Sequence, residues 1–436
     1  MNIDVSQIKK VFFIGIGGIG ISAVARMMLL EGKEVHGSDM SESNITLELR
    51  KAGAKIEIGQ RFDLIPSDVD LIIYTIAIIH YDANLYEQVK NSGIPARSYP
   101  EMLKIISQEK FTIAISGTHG KTTTTGMIAK VALDAELDPT VIIGSLMKDT
   151  GSNFVAGKSN YFIVEACEYE RSFLNLHPNI LVITNIEADH LDYYKDIADI
   201  QNAFKQLIAQ TDPDGFIICD PHAPNMKEVL VDAKATIVDY RALIDLLPKL
   251  SVPGEHNRLD AAAAKAVANV LSIPQEKSDE ALKTFEGTWR RLEKRGTTAN
   301  GTLVYDDYAH HPTEARASLS ALRELYPRGE KTITVLFQPH LYSRTKALFN
   351  DFITAFDDAD NVLFLPIYFA REDPDPEVSS EKLADAVRLS RGEAIAFASF
   401  DEAEAHLKKM NLGAEDVLVT MGAGEAYKIG DELLKK

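Results

Sequence analysis

The stretch that decides the architecture runs Phe111-Thr112-Ile113-Ala114-Ile115-Ser116-Gly117-Thr118-His119-Gly120-Lys121-Thr122-Thr123-Thr124-Thr125. Its apolar first part reads as a buried strand, its glycines as a turn, and its lysine and hydroxyls as the opening of a helix. That order makes a phosphate cradle, because backbone N–H groups and the positive end of the helix dipole converge on an anion. Gly117, Thr118, His119, Gly120 and Thr123 are the expected lining of the loop. Lys121 is placed to reach the outer phosphates, and Thr122 offers a hydroxyl to Mg²⁺. The common pattern has a glycine five residues before Gly120, where this chain has Ile115. Gly-Lys-Thr also opens ordinary helices, but the strand ahead of this one favours the phosphate reading.

Outward from the loop, short β-rich runs alternate with segments of helical period, the pattern of parallel α/β layers. Upstream, Val11-Phe12-Phe13-Ile14 leads into Gly15-Ile16-Gly17-Gly18-Ile19-Gly20. Gly15, Gly17 and Gly20 hold the first, third and sixth positions of a dinucleotide-type loop, with Gly18 between them, and these glycines permit close approach of a diphosphate. Ser38-Asp39 closes the next strand, where an acid meets a ribose hydroxyl in such folds. Spacing alone leaves the ligand open, and a nicotinamide-dependent oxidoreductase fits this loop as well as any other nucleotide binder. Downstream, Tyr161-Phe162-Ile163-Val164-Glu165 ends a strand on a carboxylate that can face a magnesium ion, with Glu168 and Glu170 close behind. Thr184-Asn185-Ile186-Glu187-Ala188-Asp189-His190-Leu191-Asp192 sets further acids and a histidine beyond another strand. Helix capping is the alternative role for these acids.

The last third carries two more clusters at strand ends, Asp306-Asp307-Tyr308-Ala309-His310-His311-Pro312-Thr313-Glu314 and Phe337-Gln338-Pro339-His340-Leu341-Tyr342-Ser343-Arg344-Thr345. Open α/β sheets bind ligands at such ends. Trp289-Arg290-Arg291 precedes them and is placed to bring a guanidinium to phosphate. The expected division is 1–108, 109–294 and 295–436.

With 436 residues, the chain is too long for a single core. Its net charge of −18 opposes binding to nucleic acid or to an anionic membrane face. Two cysteines, Cys167 and Cys219, cannot build a disulfide framework. The first residues lack the basic-then-apolar order of a signal peptide, and no apolar run is long enough to span a bilayer. A cytoplasmic protein without nucleic-acid partners or membrane insertion is expected.

Taken together, these segments resemble the Mur ligases from end to end. The Gly-Thr-His-Gly-Lys-Thr loop is that family's own form of the phosphate loop, which accounts for Ile115. The resemblance implies three α/β domains: a Rossmann-like N-terminal domain, a central P-loop ATPase-like domain and a Rossmann-like C-terminal domain. It also implies ATP-dependent joining of L-alanine to the lactyl carboxylate of UDP-N-acetylmuramate through an acyl phosphate, by a monomer or homodimer. On this reading Gly15, Gly17, Gly18, Gly20, Ser38 and Asp39 hold the UDP-sugar. Lys121 meets phosphate, while Thr122, Glu165 and His190 surround Mg²⁺. Asn257 meets adenine, Asp307 the ribose, and Arg290 or Arg291 a phosphate. His311 and Arg344 position the amino acid. Within Glu165-Ala166-Cys167-Glu168-Tyr169 the chain departs from the family at Cys167, where an acid is usual. A recycling ligase that adds a tripeptide to the same sugar nucleotide is the nearest alternative. It usually carries a cysteine within the first glycine loop, and this chain does not.

Overall fold

The computed structural model describes residues 4–108, 110–369 and 372–435. The division expected after residue 108 therefore falls beside Glu109, outside the described residues, as do the chain ends at residues 1 and 436. Three sheets follow one another along the chain, and helices alternate with their strands, the connection that parallel strands require.

The first sheet is wholly parallel, with strands in the spatial order Lys55–Ile58, Glu34–Asp39, Lys10–Ile14, Leu71–Tyr74 and Ala96–Ser98. Its direction of winding reverses between Lys10–Ile14 and Leu71–Tyr74, so the loops after these two strands part and leave a crevice. Gly15 sits in that crevice at φ 77° with its α-carbon facing the Thr75 side chain, an approach that a Cβ would block.

In the second sheet the strand Phe111–Ser116 lies between Ile180–Ile183 and Tyr161–Glu165. Residues Ile113 to Ser116 are buried in the middle of the protein, which explains the unbroken apolar run. The pair Thr140–Met147 and Ser152–Val155 adds an antiparallel edge that the sequence reading did not anticipate. The third sheet runs in the order Glu293–Thr297, Leu303–Asp307, Asp416–Met421, Thr332–Phe337, Asn361–Phe364 and Ala394–Ala396. Its first strand begins at Glu293 and so straddles the division expected between 294 and 295.

The three units are not joined alike. One apolar cluster runs without a break from Val11 and Phe13 of the first sheet to Phe162, Val164 and Phe204 of the second unit. The third unit keeps its apolar clusters to itself, around Phe337, Phe356 and Phe364 on one face and Leu336, Leu363 and Leu418 on the other. It meets the second unit largely through polar side chains, and those side chains form the site.

Candidate active site

The phosphate loop has the geometry that its residue types require. Gly117 (φ 132°) and Gly120 (φ 81°) take backbone conformations that other residues rarely adopt. Gly120 then caps the helix Lys121–Asp134, leaving its first N–H groups open to an anion. Lys121 Nζ bends back to donate to Gly117 O at 2.6 Å and Thr118 O at 2.9 Å, and pairs with Glu168 at 2.9 Å. Burial works against its charge, but the Glu168 carboxylate more than offsets this and raises the ammonium pKa.

The three residues expected around Mg²⁺ open onto one cavity. Thr122 Oγ1 donates to Glu165 Oε1 at 3.1 Å, and Glu165 Oε2 accepts from Gly144 N at 2.8 Å. His190 is held at φ 52°, with Nε2 3.6 Å from Glu168 and a buried Nδ1 that has no hydrogen-bond partner. Carboxylate and hydroxyl oxygens suit a hard cation, and an unpartnered imidazole nitrogen on a residue of the same cavity is a further candidate ligand. The residues fit Mg²⁺. Cys167 opens onto the same cavity and is exposed there, while the crowded site and the Glu168 charge raise its thiol pKa.

On the other side of the loop lies a cavity of about 290 Å³. Gly120 and Thr123 form its floor, His256 and Asn257 one wall, and Arg291 and Asp307 the wall contributed from beyond residue 290. Asn257 stands in the first turn of the helix Glu255–Val270, facing this space. Burial raises the Asp307 carboxyl to about 6, and burial lowers His256 to about 4.

Of the paired arginines, Arg291 faces the phosphate loop, its Nη2 3.3 Å from Thr122 Oγ1. Arg290 turns inward instead. Its guanidinium donates to Asp306 at 2.7 Å, Gly422 O at 2.6 Å and Gly424 O at 3.2 Å, so its fork is taken up inside the third unit. Of the two expected phosphate contacts, only Arg291 has its head group in the cleft. Arg344 is likewise committed: it forks onto Asp189 of the second unit, at 2.9 and 3.0 Å, with both side chains buried. Burial opposes the Asp189 charge, but His190 and Arg344 hold its carboxyl far below the usual range.

His311 caps the helix Pro312–Leu325, its Nδ1 accepting from Thr313 N at 3.2 Å, while its buried Nε2 has no partner. Glu314 returns the cap, accepting from His311 N, and also meets His119 Nδ1 at 3.0 Å. His119 Nε2 lies 3.5 Å from Glu187. Burial alone would lower the His119 pKa, but the carboxylates of Glu187, beside Nε2, and of Glu314, which accepts from Nδ1, outweigh it and raise it to about 9. His119, Glu187 and His311 bring potential ligand atoms within 4.8 Å of one another. This trio suits a proton network better than a metal, because an imidazolium has no lone pair to give and His311 Nδ1 is already an acceptor.

In the first unit, Gly17 N donates to Asp39 Oδ2 at 2.8 Å, and Gly15 N and Ile16 N both donate to Ser38 O. Ser38 and Asp39 thereby shape the glycine loop from within. Gly20 packs under the Tyr99 ring and, with it, lines the cavity that holds Lys121 and Glu165. Sequence reading did not single out Glu314, His310 or Asp260. Glu314 was detectable as the partner of a capping box three residues after its N-cap. Asp260 follows Asn257 by one helical turn and shares its face. His310 was visible only as half of a histidine pair.

Three winding sheets whose carboxyl ends converge on a phosphate loop define an α/β nucleotide-site protein of three domains. The chain belongs to the Mur ligase family: residues 10–111 match the Mur ligase family catalytic domain, 115–243 the Mur ligase middle domain, and 290–424 the Mur ligase glutamate ligase domain. It is 40% identical to the UDP-N-acetylmuramate–L-alanine ligase of Clostridium kluyveri, with 100% of each chain covered. Identity to the enzyme of the same name from Clostridium perfringens is 39%, with 98% of each covered. Among solved structures, the UDP-N-acetylmuramate-alanine ligase of Thermotoga maritima superposes with a TM-score of 0.80 at 27% identity, covering 98% of both chains.

Proposed function

We propose that the protein is an ATP-dependent amide ligase that joins L-alanine to the lactyl carboxylate of UDP-N-acetylmuramate, a step of peptidoglycan precursor synthesis. The observation that carries this reading is the placement of two cavities on opposite sides of one phosphate loop. The first, beside Asn257 and Asp307, suits a nucleoside. The second reaches from Lys121 and Glu165 to Gly20 and Tyr99 at the first glycine loop. Arg291 and Glu314 line both. A γ-phosphate held at Lys121 therefore meets whatever the first domain presents. The curated relatives, similar over their full length, name the substrates.

In the first step the lactyl carboxylate oxygen attacks the γ-phosphorus, ADP leaves, and an acyl phosphate forms. Lys121 and Arg291 offset charge on the transferring phosphoryl group and the departing oxygen. Mg²⁺, held by Thr122, Glu165 and His190, supplies further charge compensation when bound. In the second step the amine of L-alanine attacks the acyl carbon, and the tetrahedral intermediate collapses with loss of phosphate. Burial lowers His310 to about 4 and keeps its ring neutral at the cavity edge, too weak a base to hold the amine proton, which leaves with the departing phosphate. His311 Nε2 offers an uncommitted donor nearby for a carboxylate. The polar seam between the second and third units excludes water, which would otherwise hydrolyse the acyl phosphate. A cytoplasmic location, alongside its ATP, belongs to this proposal. No described helix is long and apolar enough to cross a membrane.

Phosphate release measured with ATP, Mg²⁺ and UDP-N-acetylmuramate against L-alanine, glycine, L-serine and the tripeptide tests this reading. Release is expected to require both the sugar nucleotide and L-alanine. Dependence on the tripeptide instead would reassign the protein to recycling, and NADH binding without ATP turnover would point to the oxidoreductase reading.

A further inference from the structure

A buried carboxyl group that the reaction does not use lies directly behind the phosphate loop. Asp260 is 6% exposed and stands on the helix Glu255–Val270, facing the nucleoside cavity. Its Oδ1 accepts the Thr124 hydroxyl at 2.9 Å. The same oxygen presses against the α-carbon of Gly120, where a Cβ would sit 2.5 Å away. Asp260 has no ion-pair partner among the described residues.

The groups around it are few. From the loop and the helix Lys121–Asp134 come Gly120 and the Thr124 hydroxyl. From the segment Tyr240–Leu246 comes the Tyr240 phenol, which donates to Thr184 O and is kept neutral by burial. Arg291 reaches it with a favourable charge from the turn ahead of the third sheet. On its own helix His256 is neutral, and His119, next to Gly120, has its charge engaged by Glu187 and Glu314. Asp220, Asp307, Glu187 and Glu314 line the same cavity and add no positive charge, and Arg241, a further cation on that lining, is paired with Asp220 at 3.3 Å. Burial pushes the Asp260 carboxyl up to about 7, the Thr124 hydrogen bond and Arg291 only partly opposing it.

We propose that Asp260 is a proton-coupled positioning residue of the nucleotide site: it carries a proton when a triphosphate occupies the loop, so that triphosphate binding takes up a proton and weakens as the pH rises. This deepens the reading of that cavity as the ATP site and rests on it. An ionised carboxylate behind the loop repels the incoming phosphates across a short, poorly hydrated path. Protonation removes that charge and leaves the oxygen seated under Gly120. Since Mg·ATP carries a net negative charge, its binding raises the Asp260 pKa further, and linkage fixes the sign. Affinity is level below the free-state value near 7 and falls by up to tenfold per pH unit above it, until the bound-state value is reached.

The test is calorimetric titration of the full chain with Mg·ATP from pH 6 to pH 9, in buffers of unlike ionisation heat. Wild type is expected to take up a proton at pH 8, and Asp260→Asn to take up correspondingly less. The two should bind alike at pH 6 and differ by tenfold or more at pH 9, with the variant tighter. Titration of the nucleotide itself cancels in this comparison, and a merely structural role would shift affinity equally at every pH. Thr124→Val is a second, independent variant; loss of the hydroxyl should move the break in the wild-type curve to higher pH. Parallel curves with equal proton uptake overturn the proposal while leaving the ATP site standing. No ATP binding by the wild type at any pH removes both.

Discussion

Lys121 has two duties that substitution can separate. It neutralises Glu168, which is 3% exposed, and it faces the place where phosphoryl charge develops. Lys121→Ala should therefore lower kcat by about 10²–10³-fold and also destabilise the fold by about 3–5 kcal/mol, because it strands a buried carboxylate. Adding Glu168→Gln should restore most of the stability and none of the turnover. Denaturant titration and steady-state kinetics on the single and double variants check this. Recovery of kcat in the double variant would show that the lysine serves only to balance charge. Lys121 was legible from sequence because a lysine after Gly-X-X-Gly is recognisable chemistry. Its partner was not, since three glutamates stand within six residues and only folding selects Glu168.

At the scale of elements, loops at strand ends matter more than the strands. Gly117 and Gly32 both have positive φ, but only Gly117 is enclosed. A Cβ there would collide with the Thr184 hydroxyl and crowd Asn185 O, whereas the space around Gly32 is open. Gly32→Ala should thus cost backbone strain alone, about 1–2 kcal/mol. Gly117→Ala should cost about 3 kcal/mol or more and abolish ATP binding. Comparable losses in the two variants, measured by denaturant unfolding, would show that enclosure at Gly117 is relieved by a shift of the loop. The strands on either side of the sites were readable because buried parallel strands are continuous apolar runs. Short edge strands such as Thr236–Asp239 and Ala394–Ala396 were not, because few of their side chains are buried.

Across the whole molecule, the third domain is held by polar contacts that respond differently to solution conditions. The Asp189–Arg344 pair is buried on both sides. Asp189→Ala should cost about 3–5 kcal/mol by leaving the guanidinium unpaired, and is expected to split thermal unfolding into two transitions with the third domain melting first. A single unshifted transition would count against the pair as a domain tether. His119 joins the same seam, and its pKa of about 9 is raised above the ordinary value of 6.5. Its contribution is therefore complete below pH 6.5 and lost as pH rises through 9, up to about 3 kcal/mol in all. His119→Gln should flatten the fall in Tm over that window relative to wild type. Parallel Tm curves would remove His119 from the account.

The sequence by itself determined the class of fold, the phosphate loop and the residue types gathered at strand ends, since each depends on local period, turn chemistry or recognisable spacing. Only the tertiary structure decided how those residues are used. Packing turned Arg290 inward and left Arg291 in the cleft. Docking of the third domain onto the second paired Arg344 with Asp189 and set Glu314 against His119. Burial of Asp260 behind Gly120 made an ordinary helix residue into a group that titrates near neutrality. Partner choice and desolvation depend on which distant segments meet and on how much water they exclude, and neither is written in the spacing of a single chain.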